Sequence, residues 1–434
     1  MKFSFDRSLL SPEKIAETAQ KLAETIENLN TVAKKNNYDD DESSINLGFD
    51  RQMHDQIKNL ATEYGGKKLK YVVVIGIGGS NLGTMAIYYG LRGNLAAYSG
   101  NFPKMLFADT VSWKSIKDIS AILGQLRSED EFLLVLVTKS GTTTESIANI
   151  EAILKLLPEK FKKAKQRMVV ISDPQSSLWE QAEKINMTTL SLPKKIGGRF
   201  SVFSAVGLFP LAVAGFDIDQ LLAGIQDMRD QCLEDDVDAN PALASAVLQY
   251  LQHRRGLRIH NTFFFNPELE LVGKWYRQLM GESLGKETNL AGATVQEGIT
   301  PIISIGSTDL HSMAQLYLAG PRDKFTTFIY CAAGDKEIQV PTDRVFTGIT
   351  EAVTGKSLIQ VMNAIYGGIK KTYEKKKLPF CEITLPEISL TTLGAMLQFK
   401  MMEMIYLASL LNVNCFDQPN VEDYKTETKN LLNT

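Results

Sequence analysis

Apolar runs rich in β-branched residues alternate with helix-like segments along most of this chain. In the first half, the predicted strands are Tyr71–Ile75, Met105–Ala108, Phe132–Val137 and Met168–Ile171. A stretch of helical length and periodicity separates each strand from the next. Such alternation is typical of βαβ units, whose strands lie parallel in a sheet that helices cover on both faces. The sequence therefore predicts a doubly wound α/β fold.

The same pattern returns after a helical connection in the middle of the chain. The predicted strands of the second half are Arg258–Phe265, Ile302–Ile305, Phe325–Tyr330 and Phe380–Thr384. Because one core rarely grows beyond about 250–300 residues, a chain of 434 residues with two such patterns is expected to form two α/β domains. The predicted divisions are an N-terminal helical segment at 1–45, a first α/β domain at 46–215, a helical connection at 216–255, a second α/β domain at 256–405 and a C-terminal helical tail at 406–434.

Charge and composition favour a small-molecule ligand. The 47 Lys and Arg residues nearly balance the 50 Asp and Glu residues, so no broad positive charge attracts nucleic acid or an anionic membrane. The longest apolar run is far shorter than the ~20 residues that span a bilayer. Four scattered cysteines show neither a CxxC pair nor metal-ligand spacing, as is typical of reduced thiols. We therefore expect a soluble cytoplasmic protein.

A glycine-rich loop, Gly76–Gly83, directly follows the first predicted strand. Glycines let backbone N–H groups approach an anion, and the N-terminus of the next helix favours negative charge. A dinucleotide fingerprint fits poorly, because Asn81 stands at its third glycine and Asp109 lies further from Gly76 than the usual ~20 residues. The loop is thus either a phosphate site or an ordinary strand-to-helix turn.

A second loop, Thr138–Ser146, follows the third predicted strand and is dense in hydroxyl groups, with Lys139 and Gly141 among them. Hydroxyl and amide donors satisfy phosphate oxygens, and the helix that follows favours their charge. A plain N-cap needs only one such hydroxyl. Because the Walker A pattern is absent, the loop predicts a site for a monophosphate without a nucleotide.

Four side chains are candidates for chemistry. Arg199, on a glycine turn, could stabilise an oxyanion, and Glu282, between glycines at a helix end, could be a general base. His311 follows a predicted strand, and Lys425 opens the polar tail. Each alone has a commoner structural explanation, such as a surface arginine or a structural histidine. Only their combination indicates a catalytic site.

In combination, six segments resemble the glucose-6-phosphate isomerase family and occur in its order. They are IGIGGSNLG, TKSGTTTES, GGRFSVFSAVG, GESLGK, STDLHS with QLYLAGP, and FDQPNVEDYK, between about Tyr71 and Lys425. The resemblance implies two flavodoxin-like sugar-isomerase (SIS) domains and a homodimer whose active sites lie at the subunit interface. It implies aldose–ketose isomerisation of glucose 6-phosphate and fructose 6-phosphate in glycolysis and gluconeogenesis, through ring opening and a cis-enediol. No cofactor, metal, nucleic acid or membrane partner is implied.

The same resemblance implies roles for individual residues. Glu282 would carry the proton between C1 and C2, Arg199 would stabilise the enediolate, and His311 and Lys425 would assist ring opening. The implied substrate-binding residues are Gly79, Ser80, Thr138, Lys139, Ser140 and Thr143, with Gln278 and Gln418 nearby. The chain departs from the family at Leu310 and Asn420, neither of which has an implied chemical role.

Two alternative functions stay open at this point. One is a dual phosphoglucose and phosphomannose isomerase, which differs only in its tolerance of the C2 epimer. The other is a non-catalytic SIS protein that senses a sugar phosphate. Such a sensor would keep the hydroxyl-rich loops but would not need Glu282, His311 or Lys425, so their joint presence favours an enzyme.

Overall fold

The computed structural model of the chain describes residues 1–334 and 337–433. The strands are β1 (Lys2–Ser4), β2 (Tyr71–Ile75), β3 (Lys104–Ala108), β4 (Phe132–Val137), β5 (Met168–Ser172), β6 (Thr188–Ser191), β7 (Ile259–Phe264), β8 (Lys286–Thr288), β9 (Thr294–Glu297), β10 (Thr300–Ile305), β11 (Lys324–Cys331) and β12 (Phe380–Leu385). The α-helices are α1 (Pro12–Gln20), α2 (Ala23–Lys35), α3 (Arg51–Tyr64), α4 (Leu82–Arg92), α5 (Trp113–Gly124), α6 (Thr144–Leu156), α7 (Ser177–Lys184), α8 (Ala205–Val213), α9 (Ile218–Gln231), α10 (Pro241–Arg254), α11 (Glu270–Leu284), α12 (Thr308–Ser312), α13 (Ala314–Ala319), α14 (Leu358–Lys375), α15 (Leu390–Leu411) and α16 (Glu422–Leu432).

The first sheet has the strand order β3-β2-β4-β5-β6, with every neighbouring pair parallel. Counted within the sheet this is the order 2-1-3-4-5 of flavodoxin-like folds, whose ligands bind where the connections diverge beyond the first and third strands. That switch point lies between β2 and β4. The predicted doubly wound sheet is confirmed. The sequence pattern missed β6, because its residues Thr188–Ser191 are mostly polar.

The second sheet has the order β1-β12-β11-β7-β10. Its four predicted strands are parallel to one another, and β1 adds an antiparallel edge by pairing Phe3 with Ile383. Neither β1 nor the β8-β9 hairpin was predicted, because each strand is only three or four residues long and has no clear alternation. The predicted N-terminal helix is two helices, α1 and α2.

Side chains from both sheets share one inner hydrophobic cluster. Along β2, Val72 and Val74 belong to this inner cluster, whereas Val73 and Ile75 face an outer cluster, as the two-residue period of a strand requires. The almost entirely buried α15 packs against α9, α10 and α11 within the inner cluster. The domain divisions stay a prediction; the one proposed between residues 405 and 406 falls inside α15.

A buried ion pair fixes α11 relative to its neighbours. In α15, Lys400 Nζ lies 2.8 Å from a carboxylate oxygen of Glu403, and both side chains are buried. Glu403 also accepts a 2.6 Å hydrogen bond from Ser245 of α10, and Lys400 sits 4.6 Å from the ring centre of Tyr276 in α11. Because an unpaired buried charge costs about 3–5 kcal/mol, this cluster holds α10, α11 and α15 in register. Helix α11 carries Glu282.

The helices and the cysteines bear on the predictions about membranes and disulfides. Among the helices of residues 1–334 and 337–433, none combines the length and apolarity that crossing a bilayer requires. The four cysteines are free and buried.

Candidate active site

The glycine loop after β2 approaches two other segments too closely for side chains. A Cβ atom on Gly79 would overlap the backbone of Gly198, and one on Gly78 would lie 2.8 Å from Nε2 of Gln278. Gly78 also has a φ of 56°, which glycine adopts without the strain that a side chain imposes. The glycine loop, the arginine turn and α11 therefore meet at one place.

The hydroxyl-rich loop follows β4, the neighbour of β2 in the sheet. Gly141 turns the chain at a φ of 69°, and Thr143 is the N-cap residue of α6. The hydroxyls of Thr138 and Thr143 lie 2.7 Å apart, and the Ser140 hydroxyl accepts a hydrogen bond from the N–H of Thr142 at 3.2 Å. Both predicted phosphate loops thus lie at the switch point of the first sheet, at the N-terminal ends of two helices.

Lys139 contributes a positive charge to this edge. Burial lowers the pKa of its amine, the carboxylate of Asp173 acts in the opposite direction, and the charge of Arg199 lowers the pKa further. Within the described residues Lys139 has no ion-pair partner. A bound anion would favour the charged form of this lysine, as an opposite charge does at short range.

Arg199 is buried and fixed from several sides, with a side chain only 2% exposed. Its guanidinium donates to Ser283 Oγ at 2.9 Å, Gln418 Oε1 at 3.0 Å, the carbonyl of Asp417 at 3.1 Å and the carbonyl of Cys415, and it lies 3.4 Å from Glu282 Oε2. Burial lowers the pKa of Arg199, and the charge of Glu282 opposes that effect. Because a guanidinium keeps its proton in proteins, the turn presents a fixed positive charge.

Glu282 lies in the last turn of α11 with one face open. Its Oε1 accepts a 3.0 Å hydrogen bond from Gln278 Nε2, and its Oε2 faces Arg199. The side chain is 33% exposed, so a ligand can reach the carboxylate. Gln278 Oε1 is buried and, within the described part of the chain, accepts no hydrogen bond. A hydroxyl of a ligand would satisfy it.

Sequence reasoning missed two residues that position this site. Ser283 binds Arg199, and the buried Lys286 donates to the carbonyl of Glu282 at 3.0 Å and to Asp417 Oδ1 at 3.0 Å. Burial lowers the pKa of Lys286, while Asp417 opposes that shift. Lys286 thereby ties the end of α11 to the loop before the tail. Its place in GESLGK was visible, but its burial was not.

His311 lies at the opposite end of the second sheet from Glu282. Helix α11 runs antiparallel to β10, since a Cβ on Gly281 would contact Pro301 near the start of that strand. His311 is exposed in α12, beyond the strand's last residue, Ile305. Because β10 has six residues at about 3.3 Å each, roughly 17 Å of strand separates the two ends. One chain does not bring these two predicted residues together.

Lys425 also lies outside the cluster in this structure. It projects from α16, where its Nζ forms a 2.6 Å ion pair with Glu422, and no contact with Glu282 or Arg199 is found among the described residues. The predicted residues that meet at one edge of the first sheet are Gly79, Ser80, Thr138, Lys139, Ser140, Thr143, Arg199, Gln278, Glu282 and Gln418.

Comparison with known proteins matches the chain to a family model described as phosphoglucose isomerase over residues 4–434. A curated relative, the glucose-6-phosphate isomerase of Methanocaldococcus jannaschii, is 34% identical over 415 residues, which cover 94% of this chain and 96% of the relative. The match therefore extends over nearly the full length of both proteins.

Two solved structures show the same fold. A hypothetical protein from Thermus thermophilus is 27% identical with a TM-score of 0.85, and the match covers 99% of each chain. A glucose-6-phosphate isomerase from Chlamydia trachomatis is 20% identical with a TM-score of 0.73 over 90% of this chain and 74% of that one. Together with the sheet orders, these structures confirm the predicted pair of flavodoxin-like domains.

Proposed function

The chain belongs to the phosphoglucose isomerase family, and we therefore infer that it is an aldose–ketose isomerase that interconverts glucose 6-phosphate and fructose 6-phosphate. The observation that supports this most directly is the carboxylate of Glu282, held between Gln278 at 3.0 Å and the buried Arg199 at 3.4 Å. The carboxylate is open on one side and lies beside the glycine loop. A base, a fixed positive charge and an anion-binding edge are the groups that this isomerisation requires.

We propose that the two loops at the switch point hold the phosphate. The glycine loop offers backbone N–H groups, the hydroxyl loop offers Thr138, Ser140 and Thr143, and Lys139 offers a charge. Helices α4 and α6 begin within the last residues of these loops, so their N-termini also favour the anion. Binding energy at this distal group would hold the reacting carbons of the sugar near Glu282.

Proton transfer at the other end of the sugar is assigned to Glu282. Its carboxylate removes the proton from C2 of the open-chain aldose, and the electron pair of that bond forms the C1–C2 double bond. The carbonyl oxygen on C1 thereby becomes the oxyanion of a cis-enediolate. Glu282 returns the proton to C1, and the C2 hydroxyl passes its proton to the oxyanion on C1, which gives the ketose with a hydroxyl on C1 and a carbonyl on C2. Arg199 is buried and already oriented, so it can stabilise the oxyanion without reorganisation.

We further propose that the protein is a cytoplasmic homodimer whose active site receives His311 from the second subunit. The supporting observation is the separation of His311 from Glu282 along β10, together with the exposure of α12. Ring opening requires an acid–base group near the ring oxygen, and an exposed histidine from another chain could supply it. Lys425 is assigned to the same step by its place in FDQPNVEDYK.

A coupled assay tests the function directly. Fructose 6-phosphate added to the purified protein, with a chelator and without nucleotide, should yield glucose 6-phosphate. Binding of fructose 6-phosphate without turnover would instead support a sugar-phosphate sensor. Release of mannose 6-phosphate alongside glucose 6-phosphate would identify a dual-specificity enzyme.

Removing a hydrogen-bond donor from the hydroxyl loop should lower the affinity for phosphorylated ligands more than the affinity for unphosphorylated ones. Because charge-assisted hydrogen bonds contribute about 1.5–3 kcal/mol, Lys139→Ala should raise the inhibition constant of a phosphorylated competitive inhibitor by roughly 10–100-fold. Thr143→Ala should act in the same direction with a smaller effect. Inhibition constants for the inhibitor with and without its phosphate measure this difference.

The matched control is Lys162→Ala, which removes an exposed lysine of the first α/β unit and should leave both constants unchanged. If Lys139→Ala raises the inhibition constants of the phosphorylated and unphosphorylated inhibitors by the same factor, the loop does not bind the phosphate and has another role.

A further inference from the structure

A second concave site lies at the start of the strands of the second sheet. The cavity has a volume of about 280 Å³ and lies between the ends of α10 and α14 and the beginning of β11. Tyr317, Thr326 and Tyr373 line its sheet side, next to the outer hydrophobic cluster that contains Tyr317 and Tyr373. None of the described residues that line the cavity contacts Glu282 or Arg199, so this cavity is separate from the active site.

Positive charge is concentrated around this cavity. Five cationic side chains line it, and no carboxylate does; the cations are Arg255, Arg322, Lys324, Lys376 and Lys377. Lys324 forms an ion pair with Asp323, and Arg255 donates to the carbonyl of Leu9 at 3.1 Å. Across residues 1–334 and 337–433, the other three cations have no ion-pair partner. Since the chain carries a net charge of −3, this density of positive charge is local to the cavity.

A buried acceptor adds a second requirement for the ligand. Gln252 is 1% exposed and lines the cavity. Its Nε2 donates to the carbonyl of Ser8 at 2.6 Å, but its Oε1 accepts no hydrogen bond from any described residue. A buried acceptor without a donor has lost its hydrogen bond to water and gained none in return, which destabilises the folded protein. A ligand hydroxyl that reached Gln252 would remove this cost, whereas a bare dianion would not.

We propose that this cavity binds a small hydroxylated phosphate monoester at a site distinct from the active site. The free cations, Arg322, Lys376 and Lys377, hold the phosphate, since guanidinium and ammonium groups form charge-assisted hydrogen bonds with phosphate oxygens. A ligand hydroxyl donates to Gln252 Oε1. The volume of about 280 Å³ is just below the range of sites for drug-sized ligands, which span about 300–1,000 Å³. The ligand is therefore a short-chain phosphate ester rather than a nucleotide.

Calorimetric titration with glycerol 3-phosphate tests this site. The titration uses the full-length Lys139→Ala protein, in which phosphate binding at the active site is already weakened. Adding Arg322→Ala and Lys376→Ala should lower the affinity for glycerol 3-phosphate by about tenfold or more, as expected when charge-assisted hydrogen bonds are lost. The matched control replaces an exposed arginine and an exposed lysine of the first half of the chain, Arg51→Ala and Lys117→Ala. These two substitutions should leave the affinity unchanged.

Control titrations use inorganic phosphate and glycerol, which carry the phosphate group and the hydroxyl groups of glycerol 3-phosphate separately. Glycerol 3-phosphate should bind more tightly than either, and Gln252→Leu should remove its advantage over inorganic phosphate. Thermal unfolding checks that each variant folds. If the Arg322 and Lys376 substitutions change the affinity no more than the Arg51 and Lys117 substitutions do, the cavity is not an anion site and the proposal fails.

Discussion

Glu282→Gln should lose about 10²–10⁴-fold in turnover, the range expected when a general base is removed. The amide keeps the shape of the carboxylate, but it cannot accept the proton from C2. Its carbonyl oxygen can still accept a hydrogen bond from Arg199. In the wild type, Gln278 donates to the carboxylate through Nε2, and if its amide turns over, its unpartnered Oε1 can accept a hydrogen bond from the new NH2 group. The variant should therefore keep its fold and its affinity for fructose 6-phosphate. Separate measurements of kcat and Kd distinguish the lost turnover from the retained binding.

Deuterium incorporation gives a second measurement of the same step. In heavy water the wild-type protein should introduce deuterium at the carbon that receives the proton, and Glu282→Gln should lose this exchange in parallel with kcat. Glu270→Gln, in the first turn of the same helix and paired with Lys274, is the matched control and should leave both rates unchanged. Near-normal exchange in a folded Glu282→Gln protein would remove Glu282 from the role of base.

Mixing two inactive variants should restore activity if His311 serves the partner subunit. In a symmetric dimer with shared sites, one Glu282→Gln chain and one His311→Ala chain place both lesions in one site and leave the other intact. Random exchange at equal amounts makes about half of the dimers mixed, so roughly a quarter of wild-type activity should return. Each variant alone should stay nearly inactive. The measurement is the specific activity after verified subunit exchange.

The matched control carries both substitutions on one chain, mixed with an equal amount of wild-type chain. If the sites are shared, each mixed dimer has one lesion in each site, and only the roughly one quarter of dimers that are wild type stay active. If both residues act within one chain, each mixed dimer keeps one working site, and about half of the activity remains. A result near one half, with no recovery in the first mixture, would place His311 and Glu282 in the same chain's site.

Local sequence determined most of the fold and predicted the phosphate site. The strands β2 and β4 are continuous apolar runs because a central parallel strand is buried on both faces, and both were predicted with the bounds that the structure has. The hydroxyl loop is a contiguous segment, so its composition alone predicted a monophosphate site, whereas the glycine loop fitted an ordinary strand-to-helix turn equally well. Strands such as β6 and β1 were missed, because short or polar edge strands have no comparable period.

The positive charge beside Glu282 was placed there only by the tertiary structure. Gln278 and Lys286 contact Glu282 from four residues before and four residues after it, so these two hydrogen bonds are local to the end of α11. Arg199 comes from a distant segment, and its contact with Glu282 depends on how α11 packs against the arginine turn. The separation of His311 from Glu282 has the same origin. In sequence both residues belong to neighbouring motifs, but α11 crosses the second sheet antiparallel to β10. The helix end that carries Glu282 and the strand end that leads to His311 therefore lie at opposite edges, because a helix that connects two parallel strands must run back along the sheet.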